Sequence, residues 1–286
     1  MDDVPVAQRR EIENADGLTL VVDEWSGTGS PVVLAHGGGQ TRHSWGGTAR
    51  ALASHGHRVL SMDLRGHGDS DWSPDGDYSM DAYAADALAV VEWVGEPVAW
   101  VGASLGGMTG LHAVHSAPQR FSSLTLVDIT PRPATQGVNR ILEFMAAKAE
   151  EGFATLDEAA DAIAEYQPHR PRPSDLSGLA KNLRERDGRW YWHWDPAFLN
   201  VRGAPGSEHA RDRHHDQLEA MARTMALPTM LVRGQLSDLV TQSEVDDFLD
   251  MVPHARYVDV KDAAHMIAGD KNDVFTDAVV DFLANA

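Results

Sequence analysis

A short apolar run that stops at glycine or aspartate, followed by a stretch of helical length, recurs through the first half of the chain and limits the fold more than any other feature. Pro31–Ala35, Arg58–Met62, Val98–Val101 and Ser123–Val127 are the runs. None shows the strict apolar–polar alternation of a half-exposed strand. Strands covered on both faces need apolar side chains on both, and such strands belong to parallel sheets. Trp45–His55, Met80–Trp93 and Leu105–Ala117 fill the intervals, and Ser44 and Ser79 stand before the first two as N-cap candidates. Strand and helix in turn, repeating every roughly 25–40 residues, predict an α/β fold with a mostly parallel central sheet flanked by helices. Ahead of them, Arg9–Asn14 and Leu18–Trp25 do alternate, about Asp16-Gly17, which predicts an antiparallel hairpin at one sheet edge.

The pattern breaks near Thr130. Pro-rich punctuation at 131–133 and 169–173 brackets a stretch with helical periodicity and no strand-like run. Strands resume at Thr229–Arg233 and Ala255–Val260, and a final amphipathic helix runs from about Asn272 to Leu283. Residues 131–220 are therefore expected to form a helical cap inserted before the last two strands, with 1–130 and 221–286 forming the core.

Composition narrows the function classes. The chain has 286 residues, 43% hydrophobic and 23% charged, as in ordinary globular proteins. It has no cysteine, which removes thiol catalysis, disulfides and zinc–cysteine sites together. A formal charge of −19 repels nucleic acid and anionic membranes, so neither is an expected partner. No apolar run reaches the roughly 18 residues of a membrane span. The opening Met-Asp-Asp-Val-Pro lacks a basic and then apolar pattern, and a cytoplasmic protein is expected. The oligomeric state is not legible.

The chemistry concentrates at strand ends. Gly102-Ala-Ser104-Leu-Gly106 follows Val98–Val101 directly and opens a helix-length segment. A nucleophile elbow needs a strained strand-to-helix turn with small flanking residues, and here the serine would also sit at a helix N-terminus. His36-Gly37-Gly38-Gly39 follows Pro31–Ala35. A loop without side chains can bring backbone N–H groups to a developing oxyanion, so Gly38 and Leu105 are the expected donors, with Gly39 the fallback. His36 reads as a brace of that loop. A serine hydroxyl needs a histidine base, and the base a carboxylate to orient it. His265 lies in a small-residue loop after the last strand, and Asp238 lies in Gly-Gln-Leu-Ser-Asp after the strand before it. Asp128 also ends a strand and is the rival acid, but Ile-Thr-Pro follows it at once, so Asp238 is the expected partner. No phosphate-binding, dinucleotide-binding or zinc-helix motif is present, and no cofactor or metal is implied.

His36-Gly37-Gly38-Gly39, Met62–Ser70, Val101–Gly107, Arg233–Asp238 and Ala263–Met266 together resemble the α/β-hydrolase superfamily, in its branch of small bacterial esterases, lactonases and cofactor-free perhydrolases. The resemblance implies Ser104 as nucleophile, His265 as base, Asp238 as acid, Gly38 with Leu105 as oxyanion hole, and a cap where the strand pattern breaks. Epoxide hydrolases and haloalkane dehalogenases of this fold carry an aspartate at the nucleophile position, where this chain has Ser104. Trp190, Trp192 and Trp194 place three of the eight tryptophans in the insertion, where they either wall the substrate pocket or pin the cap to the core; on the first reading Trp192, with Gly39 and Met266, is an expected substrate contact. The expected reaction is hydrolysis of a carboxylic ester, with a lactone as a variant substrate. The alternatives are cleavage of a C–C bond in a vinylogous diketone and a non-catalytic ligand-binding role.

Overall fold

The computed structural model describes residues 6–168, 172, 174–203, 208–265 and 272–286. Its centre is an eight-stranded sheet: β1 (Gln8–Glu13), β2 (Thr19–Trp25), β3 (Gly29–Ala35), β4 (His57–Met62), β5 (Val98–Ala103), β6 (Phe121–Val127), β9 (Thr229–Gly234) and β10 (Arg256–Val260). The spatial order is β1-β2-β4-β3-β5-β6-β9-β10, with β1 and β2 antiparallel at one edge and every pair from β4 to β10 parallel. Each expected strand is present.

The apolar runs divide by alternate residues, which is why they had to be unbroken. Val33, Ala35, Leu60, Met62, Trp100, Leu124, Leu126 and Leu231 face one core. Val32, Leu34, Val59, Ala99, Val101, Val127, Met230 and Val232 face the other. On the first face lie helices α2 (Met80–Val94) and α3 (Leu105–Ser116); on the second lie α1 (Gly46–Ser54) and the C-terminal helix Asn272–Ala284. Fully burying a Val or Leu contributes about 1.5–3 kcal/mol, so the two layers together hold the sheet. Ser79 caps α2 as expected, its hydroxyl accepting the Ala82 N–H at 3.2 Å. Ser44 caps nothing: it lies within a 3-10 turn, Arg42–Trp45, that leads straight into α1.

Between β6 and β9 run α4 (Thr135–Ala146), α5 (Leu156–Tyr166), β7 (Leu183–Arg186), β8 (Arg189–Trp192), α6 (Ala197–Gly203) and α7 (Glu208–Arg223). The insertion is thus not wholly helical. Trp190 and Trp192 lie on an antiparallel hairpin turned by Asp187 and Gly188, both at positive φ. Aromatic residues suit a strand, and the hairpin's four-residue strands are too short for a period to show in the sequence. Residues 169–171 and 173, within the Pro-rich boundary, lie outside the described residues. Among the described residues no helix is long and apolar enough to cross a membrane.

Candidate active site

The strand order reverses between β3 and β5: the chain leaves β3 for β4 on one side and returns to β5 on the other. A crevice opens outside the carboxyl ends of strands at such a point. The loop after β3 carries His36–Gly39, and the turn after β5 carries Ser104.

Ser104 has φ 46° and ψ −110°, a backbone conformation disfavoured for any residue with a Cβ. Local packing leaves little choice. A Cβ on Gly102 would lie 2.2 Å from the Gly106 carbonyl oxygen, and one on Gly106 would lie 2.3 Å from that of Ala35. The strand and helix therefore meet closer than any other residue permits. The turn is pinned by Ser104 N–H donating to Val127 O at 3.0 Å and Gly106 N–H donating to His36 O at 3.1 Å. The glycine loop abuts it: a Cβ on Gly37 would sit 3.4 Å from that of Ser104. Gly37 N–H donates to Gln40 Oε1 at 2.9 Å and is satisfied within the loop. Among the described residues, no acceptor meets the N–H groups of Gly38 or Leu105, and Leu105 opens α3, where the first N–H groups have no partner within a helix.

The carboxylate that meets His265 belongs to Asp128, not to Asp238. Asp128 follows β6, is fully buried, and has φ 50°, the left-handed region that Asp tolerates better than most residues. Its Oδ2 accepts His265 Nδ1–H at 2.7 Å and the Ser237 hydroxyl at 2.5 Å, and its Oδ1 accepts Gly234 N–H at 3.0 Å. Asp238 faces the other way: half-exposed, it pairs with Arg140 of α4 at 2.7 Å. Neighbouring residues on this turn point to opposite sides, and Ser237 is the one that points in. The His265 loop is laid across the end of β9, where a Cβ on Gly234 would lie 2.5 Å from Ala264 O. Leu236 N–H donating to Ala263 O at 2.8 Å ties the two loops. Ser104, Asp128 and His265 thus all follow the carboxyl ends of their strands. Met266 lies outside the described residues.

The glycine loop is roofed by the insertion. A Cβ on Gly38 would lie 3.3 Å from Phe198, and one on Gly39 would lie 3.1 Å from Met145 and 3.6 Å from Trp194. Trp192, stacked on Trp194 with centroids 6.4 Å apart, stands one layer farther out. It joins Phe144, Phe153 and Tyr166 in lining a cavity of about 210 Å³.

Two buried histidines brace this loop. His36 accepts Leu64 N–H at Nε2 (3.1 Å), so its Nδ1 carries the proton and donates to Gly37 O at 2.8 Å. His193, on the segment after β8, accepts Gly68 N–H at Nδ1 (2.7 Å), so its Nε2 donates to Gly39 O at 3.2 Å. Burial pushes the pKa of each down to about 3, because a charged imidazole would lose its hydration there. The unfolded chain binds these protons near pH 6.5 and the folded chain does not, so this stability is complete above pH 6.5 and declines as pH falls towards 3. Each histidine steepens that decline by up to about 1.4 kcal/mol per pH unit. The melting temperature should therefore drop between pH 7 and pH 4.5; an unchanged value would contradict neutral burial of both rings.

Residues 30–271 match the family model described as alpha/beta hydrolase fold. The chain is 28% identical over 270 residues to the esterase Rv0045c of Mycobacterium tuberculosis, covering 91% of this chain and 85% of that one. It superposes on a crystal structure of that esterase with a TM-score of 0.78, at 27% identity, over 99% of this chain and 93% of that one. It is also 28% identical over 291 residues to the sn-1-specific diacylglycerol lipase of Mus musculus, covering 95% and 88% of the two chains. The structure of E-2-(acetamidomethylene)succinate hydrolase superposes with a TM-score of 0.83 at 20% identity, over 97% of this chain and 99% of that one. With its sheet order, its strained serine turn and this breadth of similarity, the chain belongs to the α/β-hydrolase fold family.

Proposed function

We propose that the protein hydrolyses carboxylic esters through an acyl-enzyme formed on Ser104. The observation that carries this reading is the buried Asp128 carboxylate on His265 Nδ1 at 2.7 Å, in the crevice that also holds the strained Ser104 turn. Asp128 keeps the proton on Nδ1, which leaves Nε2 as a base. Ser104 Oγ attacks the ester carbonyl carbon while its proton passes to His265 Nε2. The carbonyl oxygen becomes an oxyanion held by the N–H groups of Gly38 and Leu105. As the tetrahedral intermediate collapses, the C–O bond to the alcohol breaks and His265 returns the proton to the leaving oxygen. Water then repeats the sequence on the acyl-enzyme and frees the acid and Ser104.

The esterase and lipase relatives support an ester as the substrate. The overall charge of −19 favours uncharged esters over anionic ones. A fluorophosphonate probe should label Ser104 and no other residue, and a panel of p-nitrophenyl esters, lactones and a vinylogous diketone should show ester turnover. Folded protein that takes up no label and turns over no ester would overturn the proposal.

A further inference from the structure

The glycine loop is a relay of two peptide planes, and one end of the relay is held by the insertion. Residues Gly37–Gln40 form a turn closed by Gln40 N–H donating to Gly37 O at 3.1 Å, with Gly39 at φ 77° in its third position. That left-handed third residue is the requirement of a type II turn. In a trans peptide the N–H points opposite to the C=O of the same plane. The direction of Gly38 N–H is therefore set by what holds Gly37 O, namely Gln40 N–H and His36 Nδ1–H. The direction of Gln40 N–H is set in turn by what holds Gly39 O, and that is His193 Nε2–H at 3.2 Å. His193 is itself held by Gly68 N–H at Nδ1, 2.7 Å away, and its ring lies 5.9 Å from that of His67, which is 5.2 Å from that of His36.

We infer that His193, carried by the insertion rather than by the sheet, is a positioning residue for the oxyanion loop, aiming Gly38 N–H through Gly39 and Gln40. The inference rests on the ester-hydrolase reading above. His193 touches no reacting atom. It acts through two aligned peptide groups whose hydrogen bonds polarise one another. Displacement of the insertion would release Gly39 O and leave Gly38 N–H less well aimed at the moment charge develops on the substrate oxygen. That affects the transition state more than the bound ester, so the loss falls on kcat and not on KM.

Three variants of the full chain test this with p-nitrophenyl butyrate as substrate. A glutamine amide reaches to where the histidine Nε2 stands and can still donate to Gly39 O. An asparagine amide ends where Nδ1 stands and can only accept from Gly68 N–H. His193→Asn and His193→Ala should lower kcat by about ten- to hundredfold with KM within about twofold, since loss of a whole oxyanion donor costs about 10²–10³. His193→Gln should retain most of the wild-type kcat, and fluorophosphonate labelling rates should follow kcat. The Asn and Gln variants each lose one hydrogen bond, so a merely structural role would lower both together in melting temperature and activity. If His193→Ala does not fold, the Asn–Gln pair decides alone. Equal kcat in Asn and Gln variants, or a folded Ala variant with wild-type kcat, overturns the inference while wild-type labelling leaves the esterase reading standing. A wild-type protein that neither labels nor turns over ester overturns both.

Discussion

Ser104→Ala should lower kcat for a p-nitrophenyl ester by about 10⁴–10⁶, with KM within a few fold, and should abolish fluorophosphonate labelling. The size of the effect follows from the division of labour. On the proposed mechanism the oxyanion donors and the binding surface survive the substitution, so a residue of catalysis over water remains, but no acyl-enzyme can form. The fold should survive as well. Alanine keeps the Cβ that already fits at φ 46°, ψ −110°, and among the described residues Ser104 Oγ makes no hydrogen bond whose loss would loosen the turn. Melting temperatures within a few degrees of wild type, together with active-site titration to exclude contaminating wild-type enzyme, make the comparison clean. An alanine variant that keeps more than about a hundredth of the activity would remove Ser104 from the nucleophile's role.

Asp128→Asn should cost about two to four orders of magnitude in kcat with little change in KM. The carboxylate accepts His265 Nδ1–H at 2.7 Å. An asparagine of the same shape can turn its amide N–H towards Nδ1, which moves the ring proton to Nε2 and blocks the acceptor that Ser104 needs. Asp128 also takes hydrogen bonds from Ser237 at 2.5 Å and Gly234 N–H at 3.0 Å, so the variant should melt lower as well, and kinetics belong well below its transition. Asp238→Asn is the control. It removes a half-exposed ion pair with Arg140 at 2.7 Å, worth no more than about 1 kcal/mol, and should change kcat by less than about tenfold. Arg140→Gln should behave like Asp238→Asn, because the two share one contact. A large loss on Asp238 with a small one on Asp128 would reverse the assignment.

What the sequence determined by itself is what depends on neighbours in the chain. The parallel strands were legible because their apolar runs feed two cores at once, and the edge hairpin because its residues alternate about Asp16-Gly17; both requirements are met residue by residue. The serine turn was legible for the same reason: Gly102 and Gly106 are small because strand and helix pack against each other within five residues. Which carboxylate meets His265 was decided elsewhere. Ser237 and Asp238 are consecutive, and nothing local says which of them turns inward. That was settled by Arg140, 98 positions away on α4, which draws Asp238 outward, and by Asp128, which receives Ser237 and Gly234. His193 was invisible for the same physical reason. Its two partners, Gly68 and Gly39, stand 125 and 154 positions away, and a hydrogen bond to a backbone N–H or C=O leaves no mark on the identity of the residue that offers it. Periodicity records burial, and motifs record backbone strain. Which carboxylate meets which imidazole depends on how separate loops cross at the ends of the strands, and only the assembled sheet and its insertion decide that.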